Sequence, residues 1–464
     1  MDRVRTRIAP SPTGDDLHVG NVYTALFNYI WSKKHKGKFI VRIEDTDRLR
    51  FVPQTEARIL ASLRWLGLAY DEGPDIGGAY APYRQSERLP IYQKYALKLI
   101  EAGRAYYCFC SSERLEKLRK SQHERKLPTM YDGHCKEIPL AEARRRASVE
   151  PNVIRLNVPE KGETIFSDMI RGKIHFQNAV LDDQVLIKSD GYPTYHLAVV
   201  IDDYLMQVTH VIRGEDWISS TPKHVILYWA FGWTLPYFAH LPLLRNPDKS
   251  KLSKRKNPVW TSWYREQGYL PEALLNYLGT MTWSMPDGRD KFSLSEMIEA
   301  FDIKKIKTTA PIFDLEKLSW LNGQYIRELS TKELASRLTT YLPKGTDTKL
   351  INKLAPLAQP RMKTLTEFTH YLGPFVAFKP VPLSTQEKNI TREFIAEFEL
   401  LLPWKTQQLE LTAKKLVTQK NWKLREAFMA LRQAVTGEKI GLPLFETLEL
   451  LGKKEALLRM RQAL

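Results

Sequence analysis

Residues 4–30 read VRTRIAPSPTGDDLHVGNVYTALFNYI, and this stretch decides the fold. It opens with a strand-like run near Val4–Ile8, passes through a loop rich in proline and glycine, and ends in a segment with helical periodicity. The apolar face of that segment carries Val22, Ala25, Leu26, Tyr29 and Ile30. Gly37 is placed to end the helix. Strand, loop and helix in this order predict the first βα unit of an α/β domain.

The same alternation continues on both sides of a long interruption. Residues 39–43 predict a mostly buried strand and residues 56–66 an amphipathic helix. Strands at 185–187 and 210–212 and a helix at 222–231 resume the pattern much later. Such alternation predicts a parallel, doubly wound sheet whose ligands bind at the carboxyl ends of the strands. We expect an insertion to split this sheet.

The rest of the chain completes the domain prediction. From about residue 322 the pattern is almost entirely helical, with Lys and Arg recurring. The fold class is therefore α/β: a Rossmann-type parallel sheet split by an α+β insertion and followed by an all-α C-terminal half. We predict the two halves of the sheet at 1–80 and 186–240, the insertion at 81–185, a following domain at 241–322, and a helical region at 323–464 divided near 375.

Composition restricts the class of protein. The 464 residues carry a formal net charge of +17, which favours a polyanionic partner modestly over the alternative, a basic surface that only keeps the protein soluble. With 43% hydrophobic residues the chain can bury large cores. We find neither a run of about 18 apolar residues nor a signal peptide, and only three cysteines. We expect a cytoplasmic protein without a membrane segment.

Two short motifs carry the strongest chemical signal. His18-Val19-Gly20-Asn21 lies between the Pro/Gly loop and the first helix, where free backbone N–H groups and the helix dipole favour an anion. Gly20 allows close approach of a nucleotide, and His18 can donate to a phosphate. Lys251-Leu252-Ser253-Lys254-Arg255 concentrates three cations and can clamp a triphosphate. Neither motif is specific alone.

Together the motifs resemble the HIGH and KMSKS signatures of class I aminoacyl-tRNA synthetases, in the expected order. A GxxxxGK[ST] loop and a GxGxxG after the first strand are missing from the sequence. The resemblance narrows to the glutamyl member and extends over essentially the whole chain. The stretches that carry it are residues 6–14, 39–47, 83–88, 188–196, 211–217, 243–255 and 441–454.

The resemblance implies a set of binding residues. It puts glutamate among Arg7, Ser11, Glu44, Tyr195 and Arg213. Two carboxylates and one ammonium need cations and an anion, which the arginines and Glu44 supply; which arginine takes the side-chain carboxylate stays open. The resemblance implies that ATP is bound by His18, Gly20, Asp216, Leu244, Lys251, Ser253 and Lys254. Of these, His18, Lys251 and Lys254 are the expected catalytic residues. Val199 stands where some members have Asn near the glutamate pocket.

The resemblance also implies the reaction and the partners. Glutamate would be activated by ATP as its adenylate and transferred to the 3′-terminal adenosine of tRNA-Glu, with activation waiting for bound tRNA. Mg²⁺ would accompany the triphosphate. The insertion would handle the tRNA acceptor end, the 241–322 domain the stem, and the helical region the anticodon. We expect a monomer.

The three cysteines predict a structural zinc site in the insertion. Cys108 and Cys110 are followed by Cys135, and zinc takes four S, N or O ligands. Tyr131 is our choice for the fourth ligand, because Tyr131 and Cys135 resemble a Tyr-x-x-x-Cys half-site of zinc-binding relatives. His134 and Glu137 are alternatives.

Gln359 and Arg361 lie where the family reads anticodon bases. Members strict for tRNA-Glu tend to carry Arg at the first position, so Gln359 leads to the hypothesis that tRNA-Gln is also charged with glutamate. A glutaminyl-tRNA synthetase is disfavoured because the C-terminal half lacks the strand pattern of a β-barrel. A truncated tRNA-modifying paralogue is disfavoured because the helical half is present. A catalytically silent tRNA-binding paralogue is the alternative that we keep.

Overall fold

The computed structural model describes residues 4–252 and 258–464. The described chain packs into two compact units, residues up to 264 with 274–314, and residues 265–273 with 315–464. This division does not test the finer five-part prediction. No helix in the described ranges is long and apolar enough to span a bilayer.

The elements of the first unit follow in chain order. They are β1 (Arg5–Ile8), α1 (Val19–Lys34), β2 (Lys38–Val41), α2 (Thr55–Trp65), α3 (Leu89–Glu101), β3 (Ala105–Cys108), α4 (Ser112–Glu124), α5 (Leu140–Ala147), β4 (Val153–Leu156), β5 (Glu163–Asp168), β6 (Gly172–Gln177), β7 (Val185–Ile187), α6 (Tyr195–Leu205), β8 (His210–Gly214), α7 (Thr221–Ala230), β9 (Tyr237–Leu241), α8 (Thr261–Glu266), α9 (Pro271–Thr280) and α10 (Leu294–Ala300). Helices α8 and α9 cross the border between the units.

The opening βαβ prediction is confirmed. β1 and β2 pair in parallel, with Arg5 opposite Lys38, and α1 connects them. Helix α1 buries Val22, Ala25, Leu26 and Ile30 completely, as an amphipathic helix on a sheet requires.

Gly37 does not end α1, as we expected; the helix ends at Lys34, with His35 as its C-cap. A Cβ on Gly37 would lie 2.0 Å from the carbonyl oxygen of Val4, so this glycine lets the chain enter β2 close against β1.

The second half of the sheet has the order β6-β5-β9-β8, with β8 and β9 parallel. Thr209, directly before β8, joins the two halves: its N–H donates to Arg5 O (3.0 Å) and its Oγ1 accepts from Arg5 N–H (2.9 Å). Further along the two strands, Arg7 Nη1 of β1 donates to Ile212 O of β8 (3.4 Å), so their carboxyl ends lie close together, where a doubly wound sheet binds its ligands.

Strand pairing differs from the sequence prediction at two places. β7 does not resume the parallel sheet; it pairs antiparallel with β4, in a three-stranded sheet β3-β4-β7. The β5–β6 hairpin, which we assigned to the insertion, joins the parallel sheet where Asp168 pairs with Phe238 of β9. Local periodicity identifies a strand without identifying its partner, so neither pairing was visible in the sequence.

The second unit is helical, which confirms the predicted all-α C-terminal half. Its helices are α11 (Leu315–Glu328), α12 (Thr331–Leu338), α13 (Thr348–Ala358), α14 (Phe368–Val376), α15 (Thr385–Leu400), α16 (Thr406–Gln419), α17 (Leu424–Thr436), α18 (Leu444–Leu451) and α19 (Lys453–Gln462). Capping boxes start α12 at Ser330 and α15 at Ser384. One apolar cluster lies mainly on α11–α14 and another on α15–α19.

Candidate active site

A buried network of charges lies at the carboxyl ends of β1 and β2. Arg7, the last but one residue of β1, donates from Nε and Nη2 to Asp203 of α6 (3.1 and 3.3 Å). Arg42, directly after β2, donates to Asp203 (2.7 Å) and to Glu44 (3.1 Å). Although burial opposes ionisation, the two arginines hold the pKa of Asp203 below its usual range. The charge of Arg7 is therefore already neutralised inside the protein.

Arg213 on β8 is in a different electrostatic situation. Its side chain is buried, and it donates to four neutral groups: His240 Nε2 (3.1 Å), His224 Nδ1 (3.2 Å), Tyr195 Oη (3.3 Å) and Thr221 Oγ1 (2.8 Å). Within the described residues no carboxylate pairs with it in a salt bridge. A buried cation without a counter-ion is costly, so this site favours an anionic ligand.

Glu44 is the buried anion that we expected beside the glutamate ammonium. Burial raises its pKa to about 7, against the opposing effect of Arg42 and Arg7. Its carboxyl group is therefore only partly ionised near neutral pH, and a bound ammonium would favour the ionised form.

The other expected glutamate residues lie on neighbouring elements. Tyr195 begins α6, and its ring lies against Trp217, with the centroids 4.1 Å apart. Burial raises the pKa of Tyr195, so its hydroxyl stays protonated. Ser11 is exposed in the loop after β1. Val199 is buried in the apolar cluster between α3, α6 and α7.

The His18 motif forms the start of α1. His18 is the N-cap residue, and its Nδ1 accepts from the N–H of Gly20 (2.9 Å). Burial, and then the charge of Lys251, lower the pKa of His18 to about 4. The ring is neutral at pH 7, and because Nδ1 is an acceptor, the proton is on Nε2. His18 therefore offers an N–H donor, as the sequence predicted, in addition to a helix cap.

The second motif is described up to Leu252. Lys251 forms an exposed ion pair with Asp216, with Nζ and Oδ2 2.9 Å apart. Leu244 is buried, and its carbonyl accepts from the N–H of Leu252 (3.1 Å). The predicted ATP residues Ser253 and Lys254 lie outside the described residues.

The segment that follows the second motif forms backbone hydrogen bonds with the His18 motif and the residue before it. Val19 N–H donates to Val259 O (2.7 Å), and Thr261 N–H donates to Leu17 O (3.0 Å). Trp260 lies edge-on to His18, with the ring centroids 5.9 Å apart. A Cβ on Gly14 would come within 2.4 Å of the Trp260 ring, so the Pro/Gly loop also packs here. The fold thus brings the flanks of the two motifs together.

The cysteines form a cluster with metal-binding geometry. The sulfurs of Cys108, Cys110 and Cys135 lie within 4.8 Å of one another, and those of Cys110 and Cys135 are 3.6 Å apart. Tyr131 Oη lies 3.4 Å from Cys108 Sγ and 3.2 Å from Cys110 Sγ. Tetrahedral zinc requires S–S edges of about 3.8 Å and S–O edges of about 3.5 Å. The distances from Cys110 to Cys135 and from Tyr131 to Cys108 and Cys110 are close to these edges, whereas the alternative ligands His134 and Glu137 are exposed and lie outside the cysteine cluster.

The expected anticodon-reading residues lie in the second unit. Gln359 Nε2 donates to two carbonyls at the end of α11, Ile326 O (2.8 Å) and Leu329 O (2.7 Å). Its amide nitrogen is thus used within the protein. Arg361 is exposed, with one donor on Leu357 O (3.3 Å).

Several residues of the site were missed by the sequence analysis. Asp203 had a signal, because the adjacent pair Asp202 and Asp203 interrupts an otherwise apolar helix. His224 and His240, which hold Arg213, and Asp168, which holds His240, had none, because their role depends on strands and helices that only the tertiary fold brings together.

Comparison with known proteins covers nearly the whole chain. Residues 3–320 match the family model of the catalytic domain of tRNA synthetases class I (E and Q), and residues 333–464 match an anticodon binding domain. A glutamate–tRNA ligase of Cellvibrio japonicus is 48% identical, over 100% of this chain and 94% of its own length. One from Thermus thermophilus is 50% identical over 99% and 100%. The crystal structure of a glutamate tRNA ligase from Elizabethkingia meningosepticum in complex with its amino acid has a TM-score of 0.89 and 34% identity, covering 100% of this chain and 99% of that one.

Proposed function

The chain belongs to the class I tRNA synthetases for glutamate and glutamine, and from this premise we propose how its residues carry out the reaction. It is an enzyme that ligates glutamate to tRNA. The single observation that supports the choice of glutamate from within the site is Arg213, a buried cation whose hydrogen-bond acceptors among the described residues are all neutral. Such a site suits a substrate carboxylate.

Glutamate binding divides among three residues in this proposal. Arg213 takes the side-chain carboxylate, because Arg7 already shares its charge with Asp203. Glu44 takes the ammonium group. Burial raises the pKa of Glu44 to about 7, and the ammonium would restore its charge on binding. Ser11 and Tyr195 complete the pocket by hydrogen bonding.

Activation then joins glutamate to the nucleotide. The α-carboxylate attacks the α-phosphorus of ATP in line, the bond to the β-phosphate oxygen breaks, and pyrophosphate leaves. The Nε2–H of His18 and the ammonium of Lys251 stabilise the developing negative charge, with Lys254 expected to assist. Support comes from the neutral ring of His18, which donates a hydrogen bond without exchanging a proton.

Transfer follows on the bound tRNA. A ribose hydroxyl of the 3′-terminal adenosine attacks the glutamyl carbonyl, an ester forms and AMP leaves. Gly20, Asp216, Leu244 and Ser253 hold the nucleotide in our proposal. Asp216 would release Lys251 to the triphosphate, because their ion pair is exposed and therefore weak.

Two metals accompany this scheme. Mg²⁺ would supply charge neutralisation on the triphosphate. Within the described ranges, the cysteines are the only group of three or more His, Cys, Asp or Glu side chains placed to hold a metal ion. Zinc would be held by Cys108, Cys110, Cys135 and Tyr131 and would hold β3 to the loop after α4.

We extend the proposal to tRNA-Gln as a second acceptor. Gln359 supports it, since its amide N–H groups are bonded to carbonyls at the end of α11 and it lacks the guanidinium donors with which an arginine could read a base. Charging of separated tRNA-Glu and tRNA-Gln tests this: charging of both supports it, and inertness toward tRNA-Gln ends it. Replacing Gln359 by Arg should reduce charging of tRNA-Gln selectively.

Glutamate-dependent exchange of pyrophosphate into ATP, with and without tRNA, tests the activity. We expect exchange only with tRNA present and none with glutamine. Absence of exchange under all conditions would favour the catalytically silent paralogue. Sedimentation of the purified protein tests the expected monomer, and a cytosolic location stays a prediction.

A further inference from the structure

Two histidines accept hydrogen bonds from different nitrogens of the Arg213 guanidinium. His240 on β9 receives the Nε–H of Arg213 through its Nε2 (3.1 Å), and His224 on α7 receives an Nη1–H through its Nδ1 (3.2 Å). Both histidine side chains are buried, with exposed fractions of 0% and 2%. Neither residue belongs to the set that the resemblance implied.

The protonation of both rings follows from Arg213. A guanidinium has only N–H donors, so each histidine must present a lone pair to it. The single proton of neutral His240 is therefore on Nδ1, and that of His224 is on Nε2. Burial lowers the pKa of His240 to about 4 and that of His224 well below its usual value, in agreement with neutral rings.

Each ring uses its remaining proton to bind a further group. His240 Nδ1–H donates to Asp168 Oδ2 (2.6 Å), and Asp168 Oδ1 accepts two backbone N–H groups in the turn after β5, from Ile170 and Arg171 (both 2.9 Å). His224 Nε2–H donates to His196 Nδ1 (3.0 Å) on α6. Both rings are thus fixed in one orientation and one tautomer.

We propose that His240 and His224 are positioning residues for substrate glutamate, because they fix the plane of the Arg213 guanidinium and leave it one N–H for the substrate. Four of its five N–H groups are occupied by His240, His224, Tyr195 and Thr221. The fifth, on Nη2, remains for the substrate carboxylate among the residues that the structure describes. The inference rests on the proposed role of Arg213 in glutamate binding.

The geometry explains why neutral acceptors are used. A carboxylate in place of either histidine would neutralise Arg213 and weaken its attraction for the substrate, as Asp203 does for Arg7. A neutral imidazole orients the guanidinium and leaves its charge available. The same arrangement also discriminates against glutamine, because the uncharged side chain of glutamine cannot neutralise the buried cation, whereas the carboxylate of glutamate can.

The test uses the fact that asparagine places its amide near the position of histidine Nδ1, and glutamine near Nε2. His240→Gln therefore keeps an acceptor for Arg213, and His240→Asn loses it. At His224 the order is reversed: His224→Asn keeps the acceptor and His224→Gln loses it. The four variants should be assayed for aminoacylation of tRNA-Glu over a range of glutamate concentrations, and separately of ATP concentrations.

We expect His240→Asn and His224→Gln to raise the KM for glutamate about tenfold or more, with the KM for ATP within about twofold of wild type. His240→Gln and His224→Asn should stay within about threefold for glutamate. His210→Asn is the matched control, because His210 is also buried on β8 but bonds Thr209. It should not change the KM for glutamate.

The opposite preference at the two positions decides the outcome. A general loss of packing would make Asn and Gln equivalent, or follow the same order at both positions, and that result would overturn the inference. If one pair does not fold, the remaining pair must still show the predicted order of Asn and Gln, and equal KM values or the opposite order would overturn the inference. Arg213→Lys tests the proposed role of Arg213 separately. An unchanged KM for glutamate in that variant would refute glutamate binding by Arg213. A raised KM in that variant, without the opposite preference for Asn and Gln at His240 and His224, would refute only the positioning role of the two histidines.

Discussion

His18 combines two functions that substitution can separate. Its Nδ1 caps α1 by accepting the N–H of Gly20, which leaves the Nε2–H as the donor proposed for phosphate. Asparagine at this position keeps the cap and removes the donor. Glutamine keeps a donor near the Nε2 position and removes the cap. His18→Asn and His18→Gln should therefore fail in different ways.

The expected magnitudes follow from the two interactions. Losing an N-cap side chain costs about 1 kcal/mol of folding stability, which lowers the melting temperature of a large domain by about 2–4 °C. Losing a donor to a charge that develops in the transition state costs about 3–4 kcal/mol, or about 100- to 1,000-fold in kcat. His18→Asn should then melt like wild type with kcat down by that factor. His18→Gln should melt a few degrees lower and keep more of its kcat.

Pyrophosphate exchange in the presence of glutamate and tRNA measures kcat, and calorimetry measures melting. Because burial and Lys251 lower the pKa of His18 to about 4, the ring stays neutral between pH 6 and 9, and its titration should not affect kcat in that range. A His18→Asn enzyme with more than half of the wild-type kcat would refute the donor role. A His18→Gln enzyme as stable as wild type would refute the cap.

Four further outcomes are expected. Arg213→Lys should raise the KM for glutamate about 10- to 100-fold in charging assays, because a point charge replaces the planar guanidinium. The control is Arg88→Lys, at a buried arginine paired with Asp202, which should lower stability without changing the KM for glutamate. An equal rise of this KM in both variants would contradict the proposed role of Arg213. Burial raises the pKa of Glu44 to about 7, so the carboxylate that we propose binds the substrate ammonium becomes protonated as pH falls. The KM for glutamate should therefore rise below pH 7 and level off above it; a KM that does not vary with pH would contradict the proposed role of Glu44. The pKa of His240 is about 4 in the folded protein and near 6.5 in the unfolded chain, so the unfolded chain is protonated first as pH falls. The free energy of unfolding should therefore decrease between pH 6.5 and pH 4, by up to about 3 kcal/mol from this residue. Denaturant titrations of His240→Gln should lack this decrease. Cys110→Ser should reduce the zinc content measured by atomic absorption from about one ion per chain, and zinc retained at the wild-type level would exclude that ligand.

Much of the fold was predictable because it is written in local patterns. The helix that follows His18 has four fully buried apolar positions among the five predicted, and the helical C-terminal half follows from periodicity and capping. The family resemblance pointed to Arg7, Glu44 and Arg213, and the fold places all three as buried charges at the carboxyl ends of the first unit's strands.

By itself, the sequence determined the kinds of element and predicted two nucleotide-binding motifs, because each of these depends on residues close together in the chain. Only the tertiary structure decided which strands pair and which charges meet. β7 pairs with β4, and Asp168 at the end of β5 contacts His240. Asp203 neutralises Arg7, whereas the described neighbours of Arg213 are neutral. The physical reason is that hydrogen bonds and Coulomb interactions act between atoms within a few ångströms, and residues 27 to 196 positions apart reach that distance only through the packed fold.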